Sequence, residues 1–270
     1  MNNKLAYGEW ALPVKGIAGM RLASEIGFEG VHLMDYDGEE GYFPLANPKV
    51  ADMYMDAAEK YNLEISGYHM FSFLRRGYMV EPENSEKGQL ARVNLDRAVE
   101  ICKNMKIPHL MLGAEAWSEP DNAWKYKNFL AHLNYLCDLV EGTDITVSVE
   151  SYMNVNKTIR MMDDTGNRAK VCYDLMNPLW FGTGEPLEDI AALKTNRLAL
   201  IHVKDSPEDY QGMCAVTTGV NHIEESVRLL LDMGYDGWFV SENYYNRHKG
   251  ADPYEAAARD VEIMKKLLNE

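Results

Sequence analysis

One short pattern occurs twice in the chain, as Ile26-Gly27-Phe28-Glu29-Gly30-Val31-His32-Leu33 and as Met233-Gly234-Tyr235-Asp236-Gly237-Trp238-Phe239-Val240. Each copy reads as the end of a helix, a glycine, an aromatic residue, an acid, a second glycine and then a strand. A glycine after a helix favours the left-handed conformation that ends helices, and the second glycine allows a tight turn into the strand. The pattern therefore predicts the same helix-to-strand joint near both ends of the chain.

Around these joints, short apolar or β-branched runs alternate with longer amphipathic segments, which is typical of a parallel α/β sheet. The predicted strands are Lys4–Trp10, Gly30–Met34, Glu64–Met70, His109–Ala114, Ile145–Glu150, Lys170–Tyr173, Leu198–Lys204 and Gly237–Glu242. The predicted helices are Val14–Ile26, Pro48–Tyr61, Ser85–Met105, Asn122–Glu141, Asn154–Met162, Glu185–Leu193, Gly219–Met233 and Pro253–Leu268. This order predicts a single-domain (β/α)8 TIM barrel over residues 1–270, since such a barrel uses about 250 residues.

A doubly wound open sheet is the competing fold. It needs a glycine-rich phosphate turn after the first strand, where this chain has Glu9-Trp10-Ala11-Leu12-Pro13. The sequence has no Pro-, Ser- or Gly-rich linker, which favours one domain. The long polar connection Phe71–Lys87 is expected to be a loop on the catalytic face of the barrel.

Composition restricts the partners and the compartment. The 270 residues carry a formal net charge of −15, which disfavours binding to nucleic acid or to a membrane surface. The 4 cysteines form no C-x-x-C pair, so we expect free thiols in a reducing compartment. Because the sequence offers neither a signal-peptide core nor a membrane span, we expect a cytoplasmic protein.

Four consecutive predicted strands end in a potential metal ligand: Glu150, Asp174, His202 and Glu242. Since TIM-barrel active sites lie at the carboxyl ends of the strands, these side chains are expected to converge. A lone acid in such a place is more often a helix cap. Three acids and an imidazole buried together, however, would cost several kcal/mol per unpaired charge without a cation. The sequence therefore predicts a site for a divalent cation such as Mn²⁺, Mg²⁺ or Co²⁺.

With these residues at its strand ends, the sequence resembles the xylose isomerase-like TIM-barrel superfamily of sugar isomerases and epimerases, and within it the ketose 3-epimerases. The resemblance runs over essentially the whole chain. The segments that carry it are Val147-Ser148-Val149-Glu150, Tyr173-Asp174, Ile201-His202-Val203-Lys204-Asp205, and Tyr235-Asp236-Gly237-Trp238 followed by Glu242. The resemblance implies that Glu150, Asp174, His202 and Glu242 bind the metal, Mn²⁺ ahead of Mg²⁺, Co²⁺ or Zn²⁺. It also implies a homodimer or homotetramer, because relatives commonly form them.

The implied reaction is proton transfer beside the carbonyl of a ketose or related small carbohydrate, through an enediolate. Glu150 and Glu242 are expected to act both as metal ligands and as an acid/base pair. One would remove the proton and the other would return it on the opposite face, which gives epimerisation. If only one were suitably placed, aldose–ketose isomerisation would result.

Further residues near strand ends are candidates for contact with the substrate. They are Trp10, His69, Glu115, Trp117 and Lys204. Aromatic faces suit the apolar side of a sugar ring, and Lys204 shares a side with His202 by strand alternation. Loop packing is the alternative for the aromatic residues. Arg75-Arg76 and Arg247-His248-Lys249 are candidates for clamping an anionic group, or are solvated loop charges.

The substrate-binding positions depart from the family pattern. This chain has Asn177 where relatives often have a His, Asn156 where the ketose 3-epimerases have a Glu, and Ser206-Pro207-Glu208-Asp209 where they have an Arg. A lyase or dehydratase that acts on a keto-sugar, keto-glycoside or inosose with the same site is therefore the alternative, although Ser151-Tyr152 replace the His base that many of these enzymes use. The acidic charge disfavours the superfamily's abasic-DNA endonucleases, and the intact acids disfavour a non-catalytic sugar-binding barrel.

Overall fold

The computed structural model describes residues 3–35, 43–248 and 251–269. Eight strands follow one another in chain order around a closed barrel, which confirms the predicted fold class. The strands are β1 (Lys4–Gly8), β2 (Gly30–Met34), β3 (Glu64–His69), β4 (His109–Ala114), β5 (Thr146–Ser151), β6 (Lys170–Asp174), β7 (Leu198–Val203) and β8 (Trp238–Ser241). The helices are α1 (Gly16–Ile26), α2 (Pro48–Lys60), α3 (Phe71–Arg76), α4 (Glu86–Met105), α5 (Ala123–Leu139), α6 (Val155–Asp164), α7 (Asn177–Phe181), α8 (Pro186–Leu193), α9 (Ile223–Asp232) and α10 (Pro253–Leu268).

Side-chain caps explain why several helices begin close to where the sequence predicts. Ser85, Asn122, Asn154 and Asp252 each accept a hydrogen bond from a backbone amide in the first turn of α4, α5, α6 or α10. Such a cap satisfies amides that have no partner inside the helix. A polar residue of this kind before an amphipathic run is therefore a reliable local signal.

In the repeated joint the first glycine has the predicted conformation, but the second glycine has a different role from the one predicted. Gly27 and Gly234 have φ values of 109° and 79°, in the left-handed region expected after a helix. Gly30, in contrast, is the first residue of β2. A Cβ atom there would lie 2.8 Å from the Glu64 carbonyl oxygen and 2.8 Å from the Trp238 ring. The second glycine of the first joint therefore provides room for close packing rather than a turn.

Two short helices were not predicted. The segment Phe71–Lys87, expected to be a loop, contains α3 and a turn of 3-10 helix at Tyr78–Val80. At the start of α3, Asp35 accepts hydrogen bonds from the backbone amide and the hydroxyl of Ser72. The second unpredicted helix is α7. Each is only one or two turns long, too short for an amphipathic period to reveal it.

The chain divides into two compact units. The first comprises residues 1–32, 56–66 and 173–270, and the second comprises residues 33–55 and 67–172. Large buried side chains of the first unit include Tyr7 and Phe239, and those of the second include Tyr68, Phe73 and Phe129. That residues 1–270 form one domain stays a prediction, and one cooperative unfolding transition is its expected signature.

The cysteines agree with the predicted absence of disulfides. All four are thiols rather than halves of a disulfide, and Cys102, Cys137 and Cys172 are buried. Burial raises the pKa of Cys137 to about 11, so this thiol stays protonated at neutral pH. A cytoplasmic location stays a prediction.

In the part of the chain that the structure describes, no helix has both the length and the apolar character needed to cross a membrane.

Candidate metal centre

Four buried side chains at strand ends form the candidate site. Asp174 is the last residue of β6, His202 lies near the end of β7, and Glu242 directly follows β8. Glu150 is the fifth residue of β5. Each offers one ligand atom, and these atoms all lie within 4.8 Å of one another. The residues that the sequence predicts as metal ligands are thus brought together.

A lysine lies against two of these carboxylates. The Lys204 ammonium is 2.8 Å from Asp174 Oδ2 and 2.8 Å from Glu242 Oε2. Lys204 is itself buried, with 7% of its surface exposed. The sequence suggests a substrate contact for Lys204, and that role stays a prediction. What sequence reasoning missed is its ion pairing with two of the predicted ligands.

Glu242 is held by charged and neutral donors together. Its Oε1 accepts hydrogen bonds from Trp10 Nε1 at 2.9 Å and from the Tyr244 hydroxyl at 3.3 Å. Its Oε2 lies 3.3 Å from His202 Nδ1. Burial by itself would raise the pKa of Glu242, but the Lys204 ammonium and the His202 imidazole outweigh it and hold that pKa well below its ordinary value. Glu242 is therefore ionised at neutral pH.

Asp174 is oriented by the start of α7. Its Oδ1 accepts hydrogen bonds from the backbone amides of Met176 at 2.7 Å and Asn177 at 2.9 Å. The Oδ2 atom is the one that meets Lys204. The local signal for α7 was the pair Asn177-Pro178, because proline is favoured in the first turn of a helix. Asn177 thus helps to orient a predicted ligand through its backbone.

A group of aromatic rings packs beside the ligands. The His32 ring, on β2, lies edge-on to Trp10 at a centroid distance of 5.7 Å and edge-on to His202 at 6.1 Å. Trp10 and His202 are 6.0 Å apart. His32 is not among the predicted site residues, although a histidine inside the otherwise apolar strand Gly30–Met34 was an available signal. His32 and Trp10 together limit where the His202 imidazole can lie.

The donor set suits a divalent cation. It offers oxygen atoms from three carboxylates and nitrogen from one imidazole, all on buried residues. With His202 counted as neutral, the three carboxylates and the Lys204 ammonium together have a formal charge of −2. Oxygen-rich sets with an imidazole match Mn²⁺, Mg²⁺ and related ions. A cation of charge +2 would make this buried group formally neutral.

Three of the predicted substrate contacts lie in the second unit. His69 is the last residue of β3 and is buried, with its ring edge-on to Phe71 at 5.5 Å. Glu115 directly follows β4 and is buried as well. Trp117 is 73% exposed, so most of its indole faces solvent. Substrate contact by these residues stays a prediction.

The basic residues noted in the sequence are described only in part. The Arg247 guanidinium lies 4.5 Å from the centre of the Tyr244 ring, and Tyr244 donates to Glu242. Lys249 and the side chain of Arg75 lie outside what the structure describes. Arg247 is thus linked to a predicted metal ligand through one aromatic side chain.

Comparison with known families gives one match over most of the chain. Residues 20–267 match the family described as the xylose isomerase-like TIM barrel. A relative in sequence is the 2-epi-5-epi-valiolone 7-phosphate 2-epimerase of Actinoplanes sp., 21% identical over 210 residues that cover 77% of this chain and 75% of the relative.

Solved structures with the same fold include two ketose 3-epimerases. The D-allulose 3-epimerase of Methylomonas sp. superposes with a TM-score of 0.74 at 15% identity, covering 98% of both chains. The D-psicose 3-epimerase of Clostridium cellulolyticum H10, with D-tagatose, has a TM-score of 0.77 at 11% identity and covers 98% of this chain and 99% of that one. A xylose isomerase-like TIM-barrel protein from Mycobacterium smegmatis, in complex with magnesium, has a TM-score of 0.73 at 18% identity, covering 98% and 96%. At these identities the matches establish the fold alone.

Proposed function

We propose, because the chain belongs to the family of xylose isomerase-like TIM barrels, that it epimerises or isomerises a small carbohydrate with the help of a divalent cation. The observation that carries the proposal is the buried group of Glu150, Asp174, His202 and Glu242, whose ligand atoms lie within 4.8 Å of one another. The names of the similar proteins, among them three epimerases, support the reaction class.

The four residues would hold the cation, which supplies Lewis-acid stabilisation for negative charge that builds up on substrate oxygens. Mn²⁺ is the ion that we favour, with Mg²⁺, Co²⁺ and Zn²⁺ as alternatives. The magnesium in the Mycobacterium smegmatis structure supports a divalent ion of this kind in the fold. Asp174 is held by two backbone amides and Glu242 by the Trp10 indole, so two of the ligands are oriented in advance.

Proton transfer falls to the two glutamates. Glu242, ionised at neutral pH, would accept a proton from the carbon beside the substrate carbonyl. Glu150, on a different strand, would take up a proton from solvent and return it to that carbon on the opposite face, while Glu242 releases its proton to solvent, and the configuration at that carbon would invert. If Glu150 cannot reach the carbon, the same start leads to isomerisation.

The other predicted contacts would bind the sugar. Lys204 would donate to a substrate oxygen, and Trp10 and Trp117 would offer aromatic faces to the apolar side of the sugar. His69 and Glu115, both buried near strand ends, would hydrogen-bond to hydroxyl groups. A homodimer or homotetramer, measured by light scattering, is the expected assembly.

The test is proton exchange in D₂O. The protein is incubated with Mn²⁺ and a panel of ketoses, keto-glycosides, ketose phosphates and phosphorylated carbocyclic ketones, and the C–H signals are followed by NMR. We expect exchange beside a carbonyl, and its rate should fall by about 10²–10⁴-fold in Glu150→Gln and in Glu242→Gln. Glu141→Gln, an exposed residue just after α5, is the matched control and should exchange as the wild type does.

The products separate the alternatives. An epimer or an aldose–ketose pair of unchanged mass supports the proposal, whereas loss of a leaving group identifies the lyase. Absence of exchange on every substrate, with Mn²⁺ bound, would contradict the reaction. Exchange that persists in both glutamate variants would contradict their assignment as the acid/base pair.

A further inference from the structure

Lys204 places a positive charge among side chains that are proposed to bind a cation, and metal binding does not need such a charge. Its ammonium makes two contacts of equal length, 2.8 Å each, to Asp174 and Glu242. We propose that Lys204 is an internal counter-ion that stabilises the metal-free site and competes with the divalent cation for these two carboxylates. The inference rests on the proposed metal centre and adds to it a residue that sets metal affinity.

The division of the carboxylate oxygens supports competition. On Asp174 the two backbone amides meet Oδ1, and the ammonium meets Oδ2. On Glu242 the Trp10 indole meets Oε1, and the ammonium meets Oε2. On both side chains, then, the ammonium meets the oxygen that the backbone amides or the Trp10 indole do not hold, and on Glu242 it shares that oxygen with His202 Nδ1 at 3.3 Å. A divalent cation that binds these carboxylates must either share the two oxygens with the Lys204 ammonium or displace the ammonium from them.

The charge of the site explains why a counter-ion is needed here. Three buried carboxylates have a formal charge of −3, which Lys204 reduces to −2. Uncompensated buried charges are strongly destabilising, and removing one partner of a buried ion pair leaves the other without compensation. Lys204 therefore stabilises the folded protein more when the metal is absent than when it is bound.

The same positive charge opposes metal binding. A divalent cation that approaches three carboxylates is attracted by all of them, but the nearby ammonium repels it. Lysine suits this role because its charge is compact and sits on a flexible four-carbon stem, which can release a carboxylate without moving the backbone. Metal affinity is then set by the balance between the ligands and Lys204.

The experiment measures two quantities that should move in opposite directions. Lys204→Met keeps an unbranched side chain that is shorter only by the terminal nitrogen, and it removes the charge. We expect its Kd for Mn²⁺, from calorimetric titration of the metal-stripped protein, to fall about tenfold or more. The Tm of the metal-free variant should fall by roughly 5–10 °C. A purely structural role for Lys204 would instead weaken metal binding together with stability.

Two further variants are controls. Lys127→Met makes the same change of charge at an exposed position on α5 and should alter neither quantity. Lys204→Arg retains the positive charge and should not tighten binding. If Lys204→Met does not fold, Lys204→Gln makes the same comparison with a polar side chain.

The outcomes distinguish this inference from the proposed metal centre. If the wild type binds Mn²⁺ and the neutral variant binds it no more tightly, the counter-ion role is wrong and the metal centre stands. If neither protein binds Mn²⁺, both are wrong. Tighter binding by the variant, with a less stable metal-free protein, supports both.

Discussion

Two pairs of buried acids lie in the first unit and are held in different ways. Asp174 and Glu242 contact the Lys204 ammonium. Asp205 and Asp260 accept hydrogen bonds from backbone amides and asparagine side chains in the segments after β7 and β8. Asp174 and Glu242, the site pair, are thus arranged around a positive charge. Asp205 and Asp260, the loop pair, are arranged around neutral donors in the loops after β7 and β8, although Asp260 itself lies in α10.

The pKa directions follow this difference. Burial raises the pKa of Asp205, and it raises the pKa of Asp260 to about 6, because hydrogen bonds from neutral groups only partly offset desolvation. Burial acts on Glu242 as well, but Lys204 and His202 outweigh it and lower its pKa. The comparison indicates that the site pair is suited to ion and proton chemistry, whereas the loop pair fixes the backbone.

The largest expected effect is on metal affinity, which should depend on the site pair and not on the loop pair. Asp174→Asn removes one anionic ligand and should raise the Kd for Mn²⁺ by about 100-fold or more, since even partners outside the ligand shell change affinity by about 10–100-fold. Asp205→Asn should leave the Kd within about threefold, because its carboxylate is directed at Gly219 and Asn221. Calorimetric titration measures both. Equal losses in the two variants would remove the distinction between the pairs.

The free energy of unfolding, in contrast, should depend strongly on Asp205 of the loop pair. Asp205 accepts from the amides of Ser206, Gly219 and Asn221 and is 1% exposed. Asp205→Ala leaves these buried amides without their acceptor and should lower the free energy of unfolding by about 2–3 kcal/mol, measured in urea. Asp205→Asn, which keeps one acceptor oxygen, should lose less. If the Ala variant is as stable as the wild type, Asp205 does not anchor this segment.

The pH dependence of stability gives a third test, at Asp260. Its pKa is about 6 in the folded protein and about 3.9 in an unfolded chain, so between these values the folded protein binds the proton more tightly. Its contribution to stability therefore falls as the pH rises from about 4 to 6, by at most roughly 3 kcal/mol, and is level above that range. Urea unfolding of the wild type and Asp260→Asn at pH 4.5 and pH 7 measures this. Relative to the wild type, Asp260→Asn should have a higher free energy of unfolding at pH 7 than at pH 4.5. If the difference between the two proteins is the same at both pH values, the assignment to Asp260 is wrong.

The sequence predicted the barrel and the convergence of four strand-end side chains because both depend on local order. Alternating apolar runs locate the strands, and the polar residue that closes a strand lies at its carboxyl end. Glu150, Asp174, His202 and Glu242 were found in this way. Helix starts were predictable where a side chain caps the first turn, as Ser85 does for α4.

What the sequence did not reveal depends on contacts between distant segments. The start of α3 is fixed by Asp35, which precedes Ser72 by 37 residues. His32 meets His202 only because β2 and β7 belong to the same barrel. Strand alternation predicted the side on which Lys204 lies, but its two carboxylate partners come from β6 and from the residue after β8. No periodicity within one segment contains that information.

The smallest expected effect concerns the two neutral donors on Glu242, which bring the hydrogen bonding of the loop pair into the site. The Trp10 indole donates at 2.9 Å, close to the preferred length of an N–H···O bond, whereas the Tyr244 hydroxyl donates at 3.3 Å, which is long for O–H···O. Trp10→Phe should therefore raise the Kd for Mn²⁺ about tenfold, and Tyr244→Phe less than threefold. Each variant is the control for the other in the same calorimetric titration. If Tyr244→Phe has the larger effect, the phenol rather than the indole orients Glu242, and the Arg247 guanidinium stacked on the Tyr244 ring then becomes part of the support for that ligand.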